Sequence, residues 1–246
     1  MPASQLASLP NANGTPVATT ATTREATTLV AAAYQNLRRD IIEGRLAPGS
    51  KLRVEHLKDD YGVGSGTLRE ALALLVSDAL VVTQDQRGFH VKPISVTDFR
   101  DITQTRVLLE CEALRQSIAH GDEVWEARVV AAFHLLGRVE AKLERAPDVH
   151  FNEREARNTA FHQALIANCQ SSWVKHFWGI LYQQAERYRR LTITRKPIPR
   201  DLHAEHQAIF DAALARDANA ACDALSRHIM TTYRALEHLP EAAALV

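Results

Sequence analysis

Residues 57–81, LKDDYGVGSGTLREALALLVSDALV, followed by residues 83–91, TQDQRGFHV, decide the fold. A short helix runs into a turn crowded by Gly62, Gly64 and Gly66. A second helix follows, with Leu68, Leu72, Leu75 and Val76 recurring at the spacing of one helical face. Val81–Thr83 and Gly88–Val91 then read as two strands joined by the polar tip Asp85-Gln86-Arg87-Gly88. Helix, tight turn, helix and hairpin in that order predict a winged helix-turn-helix. Upstream, Leu29, Ala33, Leu37, Ile41 and Ile42 keep helical spacing up to Gly44, a C-terminal cap, and Pro48-Gly49 makes a turn. Val54–Tyr61 is the short helix, and Pro93 closes the unit.

Ser95-Val96-Thr97-Asp98 is a variant capping box that opens a new helix. From there only helical periods occur. Helices are expected near 96–119, 122–145, 149–169, 172–192, 200–215 and 218–238, with breaks at Gly121, Pro147, Gln170–Ser172 and Lys196–Pro199 and an N-cap at Asp217. Six such helices imply an antiparallel bundle with a buried centre. The fold class is mainly α, an N-terminal winged helix-turn-helix plus a C-terminal all-helical antiparallel bundle. Residues 1–28 are expected as a disordered tail, 29–93 as the DNA-binding domain, 94–240 as a ligand-sensing and dimerisation domain, and 241–246 as a second tail.

The 246 residues are 46% apolar and carry no formal net charge, so DNA binding must come from local clusters of Lys and Arg. Cys111, Cys169 and Cys222 fit no zinc-ribbon or redox spacing and read as small core residues of a cytoplasmic protein. No apolar run reaches transmembrane length, so no membrane partner is expected. The Ala-, Thr-, Pro- and Asn-rich first 28 residues lack the basic start and apolar stretch of a signal peptide.

A helix-turn-helix sets the start of its second helix into the major groove. Ser65 and Thr67 stand there, able to bond phosphate or a base edge, with Arg69 placed to fork onto a guanine. The alternative for Arg69 is an ion pair with Glu70 or Asp78. Gln86, Arg87 and Gly88 form the wing tip, suited to the minor groove. Arg38, Arg39, Lys51, Arg53 and Lys58 offer phosphate contacts.

In the bundle, Asn158 and His162 share a helical face at i and i+4. His206 and His228 lie on the last two helices, with His203 as the alternative to His206. Three neutral imidazoles converging in a bundle hold a divalent transition metal, zinc first, with manganese or nickel as alternatives. Arg106 could fork onto an effector carboxylate or pair with Glu110 within its helix. The run Glu186–Arg190 reads as a solvated face, with Arg187 or Tyr188 as alternative pocket residues. Trp125, Trp173 and Trp178 read as core or interface.

The segment YQNLRRDIIEGRLAPGSKLRVEHLKDDYGVGSGTLREALALLVSDALV with QRGFHV resembles the N-terminal domain of GntR-type bacterial transcription regulators. The pattern I-x-x-G-x-L-x-P-G-x-x-L and the helix L-R-E-A-L-x-x-L carry the resemblance. The helical remainder resembles the ligand-sensing FCD domain of the FadR subfamily, and the Gly-rich turn resembles the carbon-starvation-induced regulators within it. Where most of that family has Ser-Arg before the recognition helix, this chain has Gly64 and Ser65, so the guanine contact from that Arg is missing. The resemblance implies that His162, His206 and His228 are metal ligands and that Asn158 stands where the family has Asp. It also implies Arg106 as part of an R-x-x-x-E motif. An uncharged Asn leaves a bound metal more positive and favours an anionic effector.

The expectation is a ligand-responsive, homodimeric transcription regulator and repressor, not an enzyme. It would act on a palindromic double-stranded operator and respond to a small carboxylate, held with a metal or, alternatively, by hydrogen bonds alone. A metal hydrolase is the rival from another class, but no general base like the Glu of H-E-x-x-H accompanies the histidines. A purely architectural DNA-binding protein would not need the polar set in the bundle.

Overall fold

Past Pro16 the chain meets no further Pro or Gly until Gly44, and one helix runs through that interval as α1 (Thr19–Ile42). The computed structural model describes residues 19–84, 88–143, 147–195 and 200–237. α1 therefore starts at Thr19 rather than near Leu29, a correction to the boundary expected for the N-terminal tail. Without a breaker, backbone hydrogen bonding carries the helix past the residues that need to be buried. Residues 1–18 and 241–246 of the expected tails lie outside the described residues, as do Gln86 and Arg87 of the wing tip.

The first unit continues with β1 (Lys51–Leu52), α2 (Val54–Tyr61), α3 (Ser65–Ser77), β2 (Val81–Gln84) and β3 (Gly88–Val91). The sheet order is β1-β3-β2, antiparallel throughout, with Leu52 opposite Phe89 and Val81 opposite Val91. β1 escaped the sequence reading because two residues show no alternation. Gly62 ends α2 in the left-handed conformation (φ 63°), giving its N–H to the Lys58 carbonyl. Gly64, extended at φ −69° and ψ 155°, caps α3, which begins at Ser65. Leu37, Leu57, Leu68, Leu72, Leu75, Leu80, Val81 and Val91 fill this unit's core.

The second unit holds α4 (Val96–His120), α5 (Glu123–Leu143), α6 (Pro147–Leu165), α7 (Ser172–Arg195), α8 (Leu202–Leu214) and α9 (Ala218–Glu237). Ser95 accepts the Asp98 N–H at 3.0 Å, the expected cap of α4. The Asp217 carboxylate accepts the N–H groups of Asn219 and Ala220, capping α9. Pro147 opens α6, a first-turn position where its missing N–H costs nothing. α6 ends at Leu165, ahead of the expected 169, because the Ala167 N–H turns back onto the Ala164 carbonyl and tightens the last turn. Leu114, Trp125, Val129, Leu136, Phe161, Trp178, Ile209 and Leu225 form the bundle core. Among the described residues no helix is long and apolar enough to cross a membrane.

A smaller apolar cluster of the second unit packs α4, α7 and α9 together, and polar contacts then join the units. Phe99 stacks on Tyr188 at 4.3 Å, beside Tyr233 and Leu236. The Tyr188 hydroxyl donates to Asp98 at 2.9 Å. α7 supplies most of the polar contacts across the junction. Gln184 Nε2 donates to the Asp78 carbonyl at 2.5 Å, and Arg187 Nη2 donates to the Lys92 carbonyl at 2.6 Å. Arg38 of α1 donates to Gln183 at 3.3 Å and lies 3.6 Å from the Glu186 carboxylate. The run Glu186–Arg190 is therefore not a solvated face: Arg187, Tyr188 and Arg189 are all buried. α7 is covered from two sides, and a charged sequence run does not reveal the second covering unit.

Candidate functional site

The face expected to read DNA is built by the turn between α2 and α3. Gly64 puts no side-chain bond on the start of α3, leaving first-turn N–H groups for an anion. Ser65 and Thr67 are half-buried there, and Arg69 is exposed. Asp78, the suggested ion-pair partner of Arg69, is bonded instead to Tyr34. Arg53 is exposed immediately before α2, and Gly88, at φ 82°, opens β3. Lys58 is paired with Glu55 at 3.0 Å. Arg38 is engaged by α7, so the arrangement described holds this side chain on the sensing unit.

In the bundle, α6 carries His162, α8 carries His206 and α9 carries His228. One ring nitrogen from each lies within 4.8 Å of the others, and all three rings are buried. Each Nδ1 faces a carboxylate: His162 to Glu110 at 3.2 Å, His206 to Glu140 at 2.8 Å and His228 to Glu205 at 2.9 Å. A carboxylate accepts, so Nδ1 of His162 and of His206 carries the proton and Nε2 keeps a lone pair, whereas His228 Nδ1 also lies 3.3 Å from Arg200 Nη2, which can only donate. This is how metal-binding histidines are usually oriented from behind. His206 Nε2 is buried without a hydrogen-bond partner. Asn158 spends its amide N–H on the Tyr182 hydroxyl at 2.5 Å, and its Oδ1 is likewise buried and without a partner. Such orphaned acceptors are costly in a core. A divalent cation is the species that satisfies imidazole nitrogens and an amide oxygen together, so the donor set fits a transition metal.

Burial holds the three imidazoles below the usual histidine value. For His206 burial outweighs the pull of Glu140 and sets it at about 4. For His228 the neighbouring His206 and Arg200 add to burial. Burial pushes the Glu110 carboxyl up, but Arg106 and His162 together outweigh it and hold it at about 2. One consequence is a pH dependence of the metal-free protein. An unfolded histidine takes a proton near pH 6.5, whereas folded His206 resists until about pH 4, so stability falls as pH drops through that window. Between pH 7 and pH 5 the loss from His206 alone is about 2 kcal/mol. Urea unfolding of chelator-treated protein at both pH values measures it, and an unchanged midpoint would contradict the buried neutral imidazole.

His203, the alternative to His206, stays outside the centre. It is half-exposed, bonds the second oxygen of Glu140 at 3.2 Å and packs against Gly137 of α5. Arg106 is buried and pairs with Glu110 through Nε at 2.7 Å and Nη2 at 2.6 Å, with its guanidinium 4.7 Å from the Tyr182 ring. The intrahelical pair therefore forms, and it lies beside the centre because the other Glu110 oxygen faces His162. Neither Arg187 nor Tyr188 reaches the histidines; both serve the junction. Arg189 is the member of that run that faces inward, bonded to Glu155 and 4.4 Å from the Tyr182 ring. Glu140, Glu205 and Tyr182 were missed from sequence. Glu205 is next to His206 and Glu110 was inside the R-x-x-x-E motif, but Glu140 and Tyr182 carry no local signal.

Comparison with known proteins gives concordant results. Residues 29–91 match the family model "Bacterial regulatory proteins, gntR family", and residues 101–231 match the "FCD domain" model. The HTH-type transcriptional regulator BphR of Paraburkholderia xenovorans is 53% identical over 82% of this chain and 82% of its own. The HTH-type transcriptional repressor GlaR of Escherichia coli is 36% identical over 80% of this chain and 91% of its own. Among solved structures, a GntR transcriptional regulator from Rhodococcus sp. RHA1 superposes with a TM-score of 0.68 at 21% identity, over 86% of this chain and 99% of its own. McbR/YncC of E. coli gives a TM-score of 0.68 at 18% identity, over 84% and 95%. These two likenesses establish the fold.

Proposed function

The chain belongs to the gntR family of bacterial regulatory proteins and carries an FCD domain behind its DNA-binding unit, and from that premise we propose that it is a metal-dependent, carboxylate-responsive repressor. The coarser part is established by membership: it is a DNA-binding transcription regulator. The relatives and fold neighbours above are regulators and not enzymes, so the hydrolase reading is not carried forward.

The observation that carries the finer reading is the convergence of His162, His206 and His228, each backed by a carboxylate, around acceptor atoms that have no partner. Those histidines and Asn158 hold the ion, zinc before manganese or nickel. When bound, a divalent ion supplies a Lewis-acidic open position for a carboxylate oxygen. Glu110, Glu140 and Glu205 fix the rings, and burial keeps them neutral. Arg106 stands beside the centre as the second group for an anion. Residues 29–93 read the operator and residues 94–240 sense and dimerise. Exposed apolar side chains in the second unit, Leu108 and Trp173 foremost, suit a homodimer interface. A two-fold dimer matches a palindromic operator.

Operator affinity changes only if the effector binds two arrangements of the units unequally. α7 is placed to report that difference, since Tyr182 touches Asn158 while Gln183, Gln184 and Glu186 hold the DNA-reading unit. Fluorescence anisotropy on a duplex from the chain's own upstream region, against a scrambled duplex and with or without chelator, tests the reading. The expected result is a salt-dependent preference for the upstream duplex that shifts on metal removal. No preference for the upstream duplex would end the operator reading, and a preference indifferent to chelator would end the metal reading alone. In the same assay Arg69→Ala should cost about 10-fold in affinity for the upstream duplex and less for the scrambled one. Equal losses on both would make Arg69 a phosphate contact instead.

A further inference from the structure

Three buried cysteines occur among the described residues, and two of them face one another. Cys111 follows Glu110 in α4, and Cys222 shares α9 with His228. Cys111 Sγ lies 3.6 Å from the Cys222 carbonyl oxygen, and Cys222 Sγ lies 3.4 Å from the Cys111 carbonyl oxygen. This reciprocal contact sets the two thiols opposite each other across the α4–α9 interface. Cys111 Sγ also lies 3.4 Å from Ser226 Oγ. Cys169 differs, since its neighbours are the Gln116 side chain at 3.3 Å and the Ser171 carbonyl at 3.8 Å.

Packing alone would be served by any small apolar residue at these positions. The pair does something packing does not. The hydrogen bond from Cys222, helped by Ser226 and Arg115, outweighs burial and brings the Cys111 thiol down to about 7, while the same contact pushes Cys222 up. Cys111 is therefore the sulfur of the pair that ionises more readily, and thiolate is the form that reacts with peroxides.

We propose that Cys111 and Cys222 are an oxidisable dithiol that closes to an intramolecular disulfide when a peroxide enters the sensing unit. The Cys111 thiolate attacks one peroxide oxygen; the O–O bond breaks, the other oxygen leaves as water after taking a proton, and Cys111 becomes a sulfenic acid. Cys222 then attacks the Cys111 sulfur, the S–O bond breaks, and the oxygen leaves as a second water. Two thiols lose two electrons and two protons, and hydrogen peroxide is reduced to two waters. Closing the bond requires each sulfur to turn from the facing carbonyl onto the facing sulfur. The product ties α4, next to the carboxylate behind His162, to the helix that carries His228. Neither the chemistry nor its test depends on a bound metal.

The test is intact-mass spectrometry and peptide mapping of the full-length reduced protein after graded hydrogen peroxide. The expected result is a loss of about 2 Da, one linked peptide pair containing Cys111 and Cys222, and full reversal by dithiothreitol. Cys169→Ser should keep the loss. Cys222→Ala should abolish it and leave a sulfenic acid on Cys111 that dimedone traps. The wild-type measurement decides even if a variant fails to fold. Both thiols still free in folded protein at doses that oxidise a small free thiol in the same solution would overturn the proposal, as would a linkage that uses Cys169.

Discussion

Glu110→Ala is expected to lower the unfolding free energy by about 3–5 kcal/mol, the usual consequence of stripping one partner from a buried ion pair. Glu110 is almost wholly buried and serves two groups at once, Arg106 through one oxygen and His162 through the other. Removing it strands a buried guanidinium and frees the imidazole ring to turn. The companion variant Arg106→Met should recover part of the loss when combined with Glu110→Ala, because it takes away the stranded charge. Chemical denaturation of the four proteins gives the coupling. Additive losses would mean that Arg106 is held by the Tyr182 ring and not by Glu110.

The second large effect concerns the ion itself. Elemental emission on tag-free protein should find about one equivalent of zinc, or of manganese or nickel, per chain, and His206→Ala should lose it. His206 is chosen because its ring is wholly buried and its Nε2 has no other partner. Glu140→Gln, which leaves all ligands in place but weakens the support behind His206, should cost roughly 10- to 100-fold in metal affinity. No metal in the wild type after incubation with zinc or manganese would mean that Asn158 marks a lost site. The effector would then be held by Arg106 and hydrogen bonds alone.

The fold was legible wherever local chemistry governs it. The apolar faces of α1 and α3, the Ser95 and Asp217 caps and the β2–β3 hairpin all follow from spacing and turn residues. The three histidines and Asn158 were legible through the i, i+4 pairing of Asn158 and His162 and through family resemblance. What stayed hidden is what depends on packing between distant segments. Glu140 on α5 supports a ring on α8, and nothing near Glu140 in sequence marks it. The burial of Arg187 follows from α7 lying between two units, a fact that no window along α7 contains. Arg38 shows the same limit: its residue type suits phosphate, but its position gives it to Glu186.

α7 has a consequence for how such a chain can change over time. The histidine centre and the turn before α3 belong to units with separate cores, and the polar ties between the units run mainly through Arg38, Asp78 and Lys92 on one side and α7 on the other. Two of those ties end on backbone carbonyls, which every residue type provides. If Ser65, Thr67 and Arg69 read the operator as proposed, substitutions there retarget the chain to another promoter without disturbing the histidine centre. If Asn158 and Arg106 face the effector as proposed, substitutions around them retune the response without changing where the chain docks. A single helix whose ties end in part on main chain leaves room for both kinds of change, which is the property a lineage needs if one scaffold is to serve many promoters and many metabolites.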